Sequence, residues 1–388
     1  MENFEIEIER IDSDTPEGAK IKAIGVGGGG GNMINHMINE GITGIDLIVA
    51  NTDAQALNTS LAPFKLQLGM NATRGLGAGM MPEKGREAAL ESFDDIKNML
   101  AGADIVFISA GMGGGTGTGA APIVAQAAKE VGALTVSVVT SPFKFEGRKR
   151  SKLAKLGLEE LKRESDSIVV VPNEKLLTVV EKNLGIKESF RLVDDVLAQA
   201  VSGISNVILS HGPNDINLDF ADVKTVMSHR GLALMGAGAS TGANAAYDAA
   251  KSALESPLLD NISINGAMGV LVHFHVHPDY PILQISEAMD IIEEHADEDA
   301  SVIFGTTTNS DFEPDEVRIT IIATGFEDPN SLASEQAKKA REATDLLRSG
   351  SANSAQPSLQ QARRVVGGYD ATNEDLLDVP TFLRKQMD

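Results

Sequence analysis

The run AGMGGGTGTGAAP, residues 110–122, constrains the fold more than any other stretch of the chain. An apolar, β-branched segment precedes it at residues 103–110, and residues 120–131 follow with apolar side chains at helical spacing. Glycines let the backbone approach a ligand closely, while the loop's N–H groups and the helix N-terminus attract an anion. The pattern predicts a strand, a phosphate-binding loop and a helix. The alternative, a flexible linker, does not fit between two such elements.

A second glycine run, GGGGGN at residues 27–32, follows a predicted strand at 20–26 and precedes a predicted helix from Met33 to Glu40. One spacing within it fits the G-x-G-x-x-G pattern of dinucleotide-binding folds, so an NAD-dependent oxidoreductase is an alternative function. The residues of that pattern are Gly25, Gly27 and Gly30, with Asp46 and Asp53 as the acids. The match is weak because five consecutive glycines satisfy any glycine spacing.

The chain contains no G-x-x-x-x-G-K-[ST] motif, so it lacks the lysine of a P-loop. Phosphates held by these two glycine runs must therefore be bound by backbone N–H groups, helix dipoles and a metal ion. A non-catalytic scaffold that binds a nucleotide only for stability is a second alternative.

Charge and composition exclude several classes of partner. The net charge of -22 disfavours direct binding to nucleic acid or to an anionic membrane, since both would be repelled. The chain has no cysteine, no run of 18 apolar residues and an acidic N-terminal segment, unlike a signal peptide. These features predict a cytoplasmic protein without direct membrane insertion.

Strand-like and helix-like segments alternate from residue 20 to residue 172, which predicts an α/β fold with a doubly wound, mostly parallel sheet. Ligands then bind at the carboxyl ends of the strands, where both glycine runs lie. The longest helical pattern, a central helix at 188–210, precedes a smaller α+β region. The predicted divisions are an arm (1–18), a nucleotide-binding domain (19–187), the central helix (188–210), an α+β domain (211–326), a disordered linker (327–368) and a docking peptide (369–388).

Four motifs together resemble the FtsZ family, the tubulin-like GTPases of bacterial cell division: GGGGGN at 27–32, GMGGGTGTGAAP at 111–122, PFKFEGRKR at 142–150 and NLDFAD at 217–222. The resemblance covers residues 20–325 and resumes at the extreme C-terminus. It implies binding of GTP or GDP with Mg²⁺, head-to-tail polymerisation with copies of itself, and GTP hydrolysis at the junction between subunits. It also implies recruitment to the division site at the inner face of the cytoplasmic membrane, through partners that bind residues 375–386.

The resemblance assigns the nucleotide contacts residue by residue. The residues expected to bind the phosphates lie in the two glycine runs and at the end of the fifth strand: Gly28, Gly29, Gly30, Gly31, Asn32, Gly114, Gly115, Thr116, Gly117 and Thr140. Glu146 and Arg150 are expected to bind the ribose and α-phosphate; a solvated ion pair between them is the alternative. The loop at 72–79 and Asp53 are further candidates for contacts with the phosphates and magnesium.

Guanine recognition is assigned to Asn173, Phe190 and Asp194. A carboxylate accepts from guanine N1–H and the exocyclic amine together, and an aromatic ring stacks on the base. Asp195 is an alternative to Asp194; the spacing of four residues from Phe190 favours Asp194.

The predicted catalytic residues are Asn217, Asp219 and Asp222. From the residues alone, the two acids suit a helix N-cap and its first turn. The resemblance instead implies that they orient a water for attack on the γ-phosphate of the neighbouring subunit. His273, His275 and His277 alternate on one strand face, but a zinc site there is disfavoured because residues two apart on a strand lie about 6–7 Å from each other.

Overall fold

The computed structural model describes residues 18–179, 185–209, 215–216, 218–229, 231–256, 264 and 266–326. The N-terminal arm, the linker and the docking peptide that the sequence predicts lie almost entirely outside these residues. Within them, strands and helices alternate along the chain. The strands are β1 (Ile21–Val26), β2 (Ile45–Asn51), β3 (Phe64–Gln67), β4 (Ile105–Gly111), β5 (Leu134–Ser141), β6 (Ser167–Pro172), β7 (Gly231–Thr241), β8 (Gly269–Val276), β9 (Ser301–Thr308) and β10 (Glu316–Phe326).

The helices cover both faces of the sheet. They are α1 (Gly27–Asn39), α2 (Ala54–Thr59), α3 (Met70–Thr73), α4 (Pro82–Glu91), α5 (Phe93–Leu100), α6 (Thr116–Glu130), α7 (Arg148–Glu164), α8 (Asn173–Val179), α9 (Ile186–Leu209), α10 (Phe220–Met227), α11 (Ala245–Leu254) and α12 (Ile282–His295). A 3₁₀ turn, Lys144–Glu146, precedes α7.

All described strands belong to one sheet in the order β3-β2-β1-β4-β5-β6-β7-β10-β8-β9. Neighbours from β3 to β7 are parallel, β10 is antiparallel to both of its neighbours, and β8 and β9 are parallel. This confirms the predicted α/β fold with a mostly parallel sheet.

Alternate side chains of each central strand enter different cores. Ile105 and Phe107 of β4 pack in the core shared with α1 and α9, whereas Val106 and Ile108 pack in the core shared with α4, α5 and α6. Burial on both faces explains why β4 begins with four consecutive apolar residues, Ile105 to Ile108, rather than alternating. The doubly wound prediction follows from this pattern and is confirmed.

The N-terminal and C-terminal halves share the sheet through β6 and β7. Three residue pairs join these strands, beginning with Ser167 opposite Gly231. A third core, with residues of α11 and α12, lies over the C-terminal strands. The sequence distinguishes the two halves by their patterns but contains no signal for the edge-to-edge pairing that links them.

Two predicted helix starts are wrong. Helix α1 begins at Gly27 rather than Met33, and α6 begins at Thr116 rather than Ala120. Glycine has low helix propensity, but close packing outweighs it: a Cβ atom on Gly30 would lie 2.2 Å from the Ser109 carbonyl oxygen of β4. The glycine runs are therefore largely the first turns of helices rather than long loops.

Candidate nucleotide site

The two glycine segments touch each other at the carboxyl ends of β1 and β4, which are adjacent parallel strands. A Cβ atom on Gly27 would lie 2.9 Å from the Gly117 nitrogen, and one on Gly29 would lie 3.0 Å from the Gly111 Cα. Only glycine permits this approach of one backbone to the other. The N-termini of α1 and α6 consequently lie side by side, and their free N–H groups form an anion-binding surface.

The predicted phosphate-binding residues divide into exposed and packed positions. Gly28, Gly29 and Asn32 are exposed, and a side chain on Gly28 or Gly114 would meet no neighbouring atom within 4 Å. By contrast, Gly30 and Gly31 are buried, so any contact they make with a phosphate is through the backbone. The space beside Gly28 and Gly114 is therefore open.

Two threonines fix the second glycine segment. Thr118 Oγ1 accepts a hydrogen bond from the Gly113 N–H at 2.8 Å, and the Thr116 and Thr52 hydroxyls are 2.6 Å apart. Thr118 is a structural residue that the sequence prediction missed; its signal is the GTG repeat, in which threonine at the first turn of a helix can bond back to the loop.

The loop at 72–79 lies against the same segment. Thr73 donates its hydroxyl to the Thr52 carbonyl at 3.2 Å, and a Cβ on Gly115 would lie 2.9 Å from the Ala78 Cβ. The Asp53 carboxylate caps α2 by accepting from the Gln55 N–H at 2.8 Å. The loop thus borders the second glycine segment, whereas Asp53 acts as a helix cap in this structure.

Glu146 and Arg150 form an ion pair at the start of α7, beside the phosphate surface. The Glu146 side chain is only 13% exposed and also accepts from the Phe143 N–H at 2.9 Å. A Cβ on Gly113 would lie 2.8 Å from the Arg150 carbonyl oxygen, so this turn packs directly on the second glycine segment. Thr140, at the end of β5, accepts from the Met112 N–H at 3.0 Å and borders the same segment.

One of the residues predicted to recognise the base carries a buried polar atom without a described partner. Asn173, the first residue of α8, is 4% exposed, and its Oδ1 has no hydrogen-bond partner among the described residues. The Phe190 ring is 39% exposed and meets the Phe143 ring edge-on at 5.4 Å. A buried unpaired acceptor suits a ligand with N–H donors, because leaving the acceptor unpaired is costly. A partly exposed aromatic ring suits contact with a flat ligand.

The two neighbouring carboxylates of α9 lie in different environments. Asp195 pairs with His36 of α1, with 2.7 Å between Oδ1 and Nε2. Asp194 is one helical turn beyond Phe190, and burial, followed by the nearby charge of Asp195, raises the pKa of Asp194 to about 7. A desolvated carboxylate of this kind is a typical ligand-binding group.

The predicted catalytic carboxylates are exposed at the start of α10. Asp219 occupies the N-cap position, but its side chain makes no capping hydrogen bond, and Asp222 is exposed in the first turn. The helix-cap interpretation therefore accounts for the position of Asp219 but not for its carboxylate. Asn217 lies outside the described residues.

The carboxylates lie far across the sheet from the two glycine segments. Leu218, next to Asp219, lies against Gly305 of β9, where a Cβ atom would be 3.6 Å from Leu218 Cδ1. The glycine segments follow β1 and β4, and six strand spacings separate β4 from β9 in the sheet order. At about 4.8 Å for each spacing, about 29 Å of sheet separates the two sets.

The histidines of β8 make local contacts. His273 is buried, its Nε2 is 2.8 Å from the Thr307 hydroxyl, and burial lowers its pKa to about 4. The described residues contain no group of three or more His, Cys, Asp or Glu side chains placed to hold a metal ion.

Comparison with known proteins gives one consistent result. Residues 20–181 match the GTPase domain of the Tubulin/FtsZ family, and residues 231–327 match the C-terminal domain of the FtsZ family. A curated cell division protein FtsZ of Helicobacter pylori is 45% identical over 394 aligned positions, covering 100% of this chain and 98% of that protein. The chain belongs to the FtsZ family.

Solved structures agree with the family assignment. An empty FtsZ dimer of M. jannaschii has a TM-score of 0.75 and 44% identity, covering 80% of this chain and 89% of that one. A GTPγS-bound CetZ2 protofilament of Haloferax volcanii has a TM-score of 0.67 at 21% identity, covering 85% of this chain and 99% of that one, and shares the fold. The predicted tubulin-like GTPase is confirmed, and the NAD-dependent oxidoreductase is excluded as its function.

One helix, from Lys187 to Leu209, passes a test of length and hydropathy for a membrane span. In this structure 61% of its most apolar window is buried inside the protein. This helix is α9, whose apolar side chains pack in the core with β5 and β6.

Proposed function

We propose that this GTPase assembles head to tail and hydrolyses GTP only where two subunits meet. Each subunit would bind GTP at the carboxyl ends of β1, β4, β5 and β6. The next subunit would place the exposed start of its α10 over the γ-phosphate. Hydrolysis would then depend on assembly.

The observation that carries this proposal is the separation of the two half-sites across the sheet. The glycine segments follow β1 and β4, whereas Leu218, next to Asp219, lies against β9, six strand spacings from β4. About 29 Å is far beyond the roughly 3 Å at which a carboxylate orients an attacking water. A second subunit would supply the missing half without any rearrangement of the fold.

Within one subunit, the N–H groups at the starts of α1 and α6 would hold the phosphates through Gly28 and Gly114. Arg150 would exchange part of its ion pair with Glu146 for the α-phosphate, leaving Glu146 oxygen atoms free to accept from the ribose hydroxyls. Asn173 and Asp194 would bind the guanine edge, with Phe190 against its face.

Magnesium fits this site only if the phosphates supply most of its ligands. The described residues contain no cluster of three metal-binding side chains. Mg²⁺ characteristically keeps several waters and binds through substrate phosphates with one or two protein oxygens. The ion would neutralise charge on the β- and γ-phosphates, and the hydroxyls of Thr52 and Thr116 lie nearby as neutral oxygen ligands.

Asp219 and Asp222 would orient and polarise the attacking water, because carboxylates repel phosphates but accept hydrogen bonds from water. Both carboxylates are accessible to a water, since Asp219 makes no capping hydrogen bond and Asp222 is exposed. Asn217 is proposed as a third member from the motif alone.

Exposed apolar side chains within residues 70–81 support burial of this region by a second subunit. Leu76 and Met70 are 84% and 62% exposed, and Met80 and Met81, which lie next to Gly115, are 38% and 43% exposed. Several exposed apolar side chains in one short segment are typical of a protein interface. The M. jannaschii relative was solved as a dimer, which agrees with self-association.

The biological role follows from the curated relative, whose name identifies it as a cell division protein. We therefore place this GTPase in the division machinery, in the cytoplasm and at the inner face of the membrane. Residues 375–386 contain apolar side chains between charged ones, and we propose that this segment docks on membrane-anchoring partners.

Phosphate release from GTP with magnesium, measured across protein concentrations, tests the proposal. The expected result is negligible specific activity at low concentration and a rise above a threshold. Constant specific activity at every dilution would mean a self-contained site and would overturn the proposal. GTP bound without phosphate release at any concentration would instead support the nucleotide-stabilised scaffold.

A further inference from the structure

The segment that precedes the proposed catalytic carboxylates is attached to the last strand of the sheet. One oxygen of the Asp215 carboxylate, Oδ1, accepts from both the N–H and the hydroxyl of Thr308, each at 2.8 Å. Next to it, Ile216 donates its N–H to the Thr306 hydroxyl at 2.8 Å and accepts from the Thr306 N–H at 3.1 Å. Four hydrogen bonds therefore join two consecutive residues to the end of β9.

These bonds complete an open sheet edge. Among the described strands, β9 lies at one edge of the sheet and pairs with β8. Ser301 donates its N–H to the Met268 carbonyl on the β8 side, so the odd-numbered residues of β9 face β8. The even-numbered residues, which include Thr306 and Thr308, direct their N–H groups outward. Asp215 and Ile216 accept from two of these outward N–H groups. The segment thus replaces a neighbouring strand over this stretch.

Gly305 allows the segment to lie close against β9. A Cβ atom there would be 3.1 Å from the Ile216 carbonyl oxygen and 3.6 Å from Leu218 Cδ1. The contact fixes the chain on both sides of position 217, within two residues of Asp219. Leu218 is also packed against the core beneath α9 and α10.

We propose that Asp215 is a positioning residue for GTP hydrolysis: its carboxylate anchors the catalytic segment to β9 and thereby fixes the direction in which Asp219 and Asp222 face the next subunit. This inference rests on the proposed function of those two carboxylates. Two donors of one residue, the N–H and the hydroxyl of Thr308, bond to the same Oδ1 atom, so the Asp215 side chain is held in direction as well as in position. Misplacement of a catalytic group by about 1 Å costs roughly 100-fold in rate.

The test compares Asp215→Ala with Asp215→Asn, because an asparagine Oδ1 can still accept both bonds from Thr308. Asp299→Ala, which removes an exposed carboxylate from the same half of the chain, is the matched charge control. Each full-length variant is assayed for GDP affinity, for the amount of polymer sedimented with a slowly hydrolysed GTP analogue, and for GTP turnover per polymerised subunit.

We expect Asp215→Ala to lower turnover per polymerised subunit by about 10-fold to 100-fold while leaving GDP affinity and polymer amount unchanged. Asp215→Asn should recover turnover to within about 3-fold of the parent, and Asp299→Ala should match the parent. Normal turnover in Asp215→Ala would overturn the inference. Equal loss in the alanine and asparagine variants would also overturn it, since charge rather than hydrogen bonding would then be responsible.

A second pair keeps the inference testable if Asp215→Ala does not fold. Thr308→Val removes the hydroxyl bond but keeps the backbone bond, whereas Thr308→Ser keeps both. Turnover should fall in the valine variant and persist in the serine variant; equal turnover in the two would refute the anchor. Asp222→Ala is run in parallel, because normal turnover in that variant would mean that the proposed function has failed, rather than the anchor.

Discussion

The pKa of Asp194 makes nucleotide affinity depend on pH in a direction that the structure fixes. Burial, together with the charge of Asp195, raises this pKa to about 7 in the nucleotide-free protein. Guanine presents two N–H donors, so only the ionised carboxylate binds it well. Nucleotide affinity is therefore expected to reach its maximum above about pH 8 and to fall as the pH drops through 7. A site that needs a protonated group would show the opposite trend.

The size of the effect follows from the fraction of protein in the binding-competent form. With a pKa of about 7, the carboxylate is ionised in about 9% of molecules at pH 6 and about 91% at pH 8. Because the apparent Kd is the intrinsic Kd divided by that fraction, it should be about tenfold weaker at pH 6 than at pH 8. That ratio corresponds to about 1.4 kcal/mol.

The assay is GDP binding at a protein concentration too low for assembly, so that neither hydrolysis nor polymerisation contributes. Asp194→Asn should bind more weakly and show only the pH dependence of the nucleotide's own phosphates. Asp195→Asn should retain the transition but move its midpoint to lower pH, because one cause of the raised pKa is removed. Identical pH profiles for the parent and Asp194→Asn would refute the assignment of Asp194.

Three further predictions use other parts of the site. Asp222→Ala should keep GDP affinity and assembly but lose GTP turnover by at least about 100-fold, measured as phosphate release; normal turnover would contradict its assignment. Phe190→Ala should weaken GDP binding by about 1–3 kcal/mol through lost stacking, with polymer structure unchanged; parent-like affinity would show that the ring does not contact the base. Gly30→Ala should lower the thermal midpoint of unfolding sharply, because its Cβ would lie 2.2 Å from the Ser109 carbonyl oxygen. Gly28→Ala should instead fold normally and lose nucleotide affinity. Equal thermal midpoints for the two variants would contradict these separate roles.

The strand pattern was predictable because each central strand is buried on both faces. Segments such as β4 contain consecutive apolar residues, and their alternation with helices leaves few topologies open. Helix starts were less predictable: glycine's low propensity suggested a loop at Gly27–Asn32, but packing against β4 makes it helical. Local propensity fails where tertiary contacts decide.

The site was predicted from its motifs, and the structure adds what the motifs lack. Sequence spacing favoured Asp194 over Asp195. The structure shows how the two carboxylates differ, since Asp195 pairs with His36 of α1. No sequence pattern indicated that Asp215 bonds to Thr308, 93 residues away. Contacts of that range depend on how the edge of the sheet is completed, which local patterns do not encode.

The claim that the active site is shared between subunits is tested most directly by mixing two variants, each defective in one half of the junction, at a GTP concentration too low to occupy the pocket of Asp194→Ala. Asp222→Ala retains the nucleotide pocket, and Asp194→Ala retains the catalytic segment. Where an Asp194→Ala subunit stacks on a GTP-bound Asp222→Ala subunit, one complete junction forms. The account predicts that GTP turnover appears on mixing and depends on the ratio of the two variants. No turnover at any ratio, with each variant folded, would contradict it.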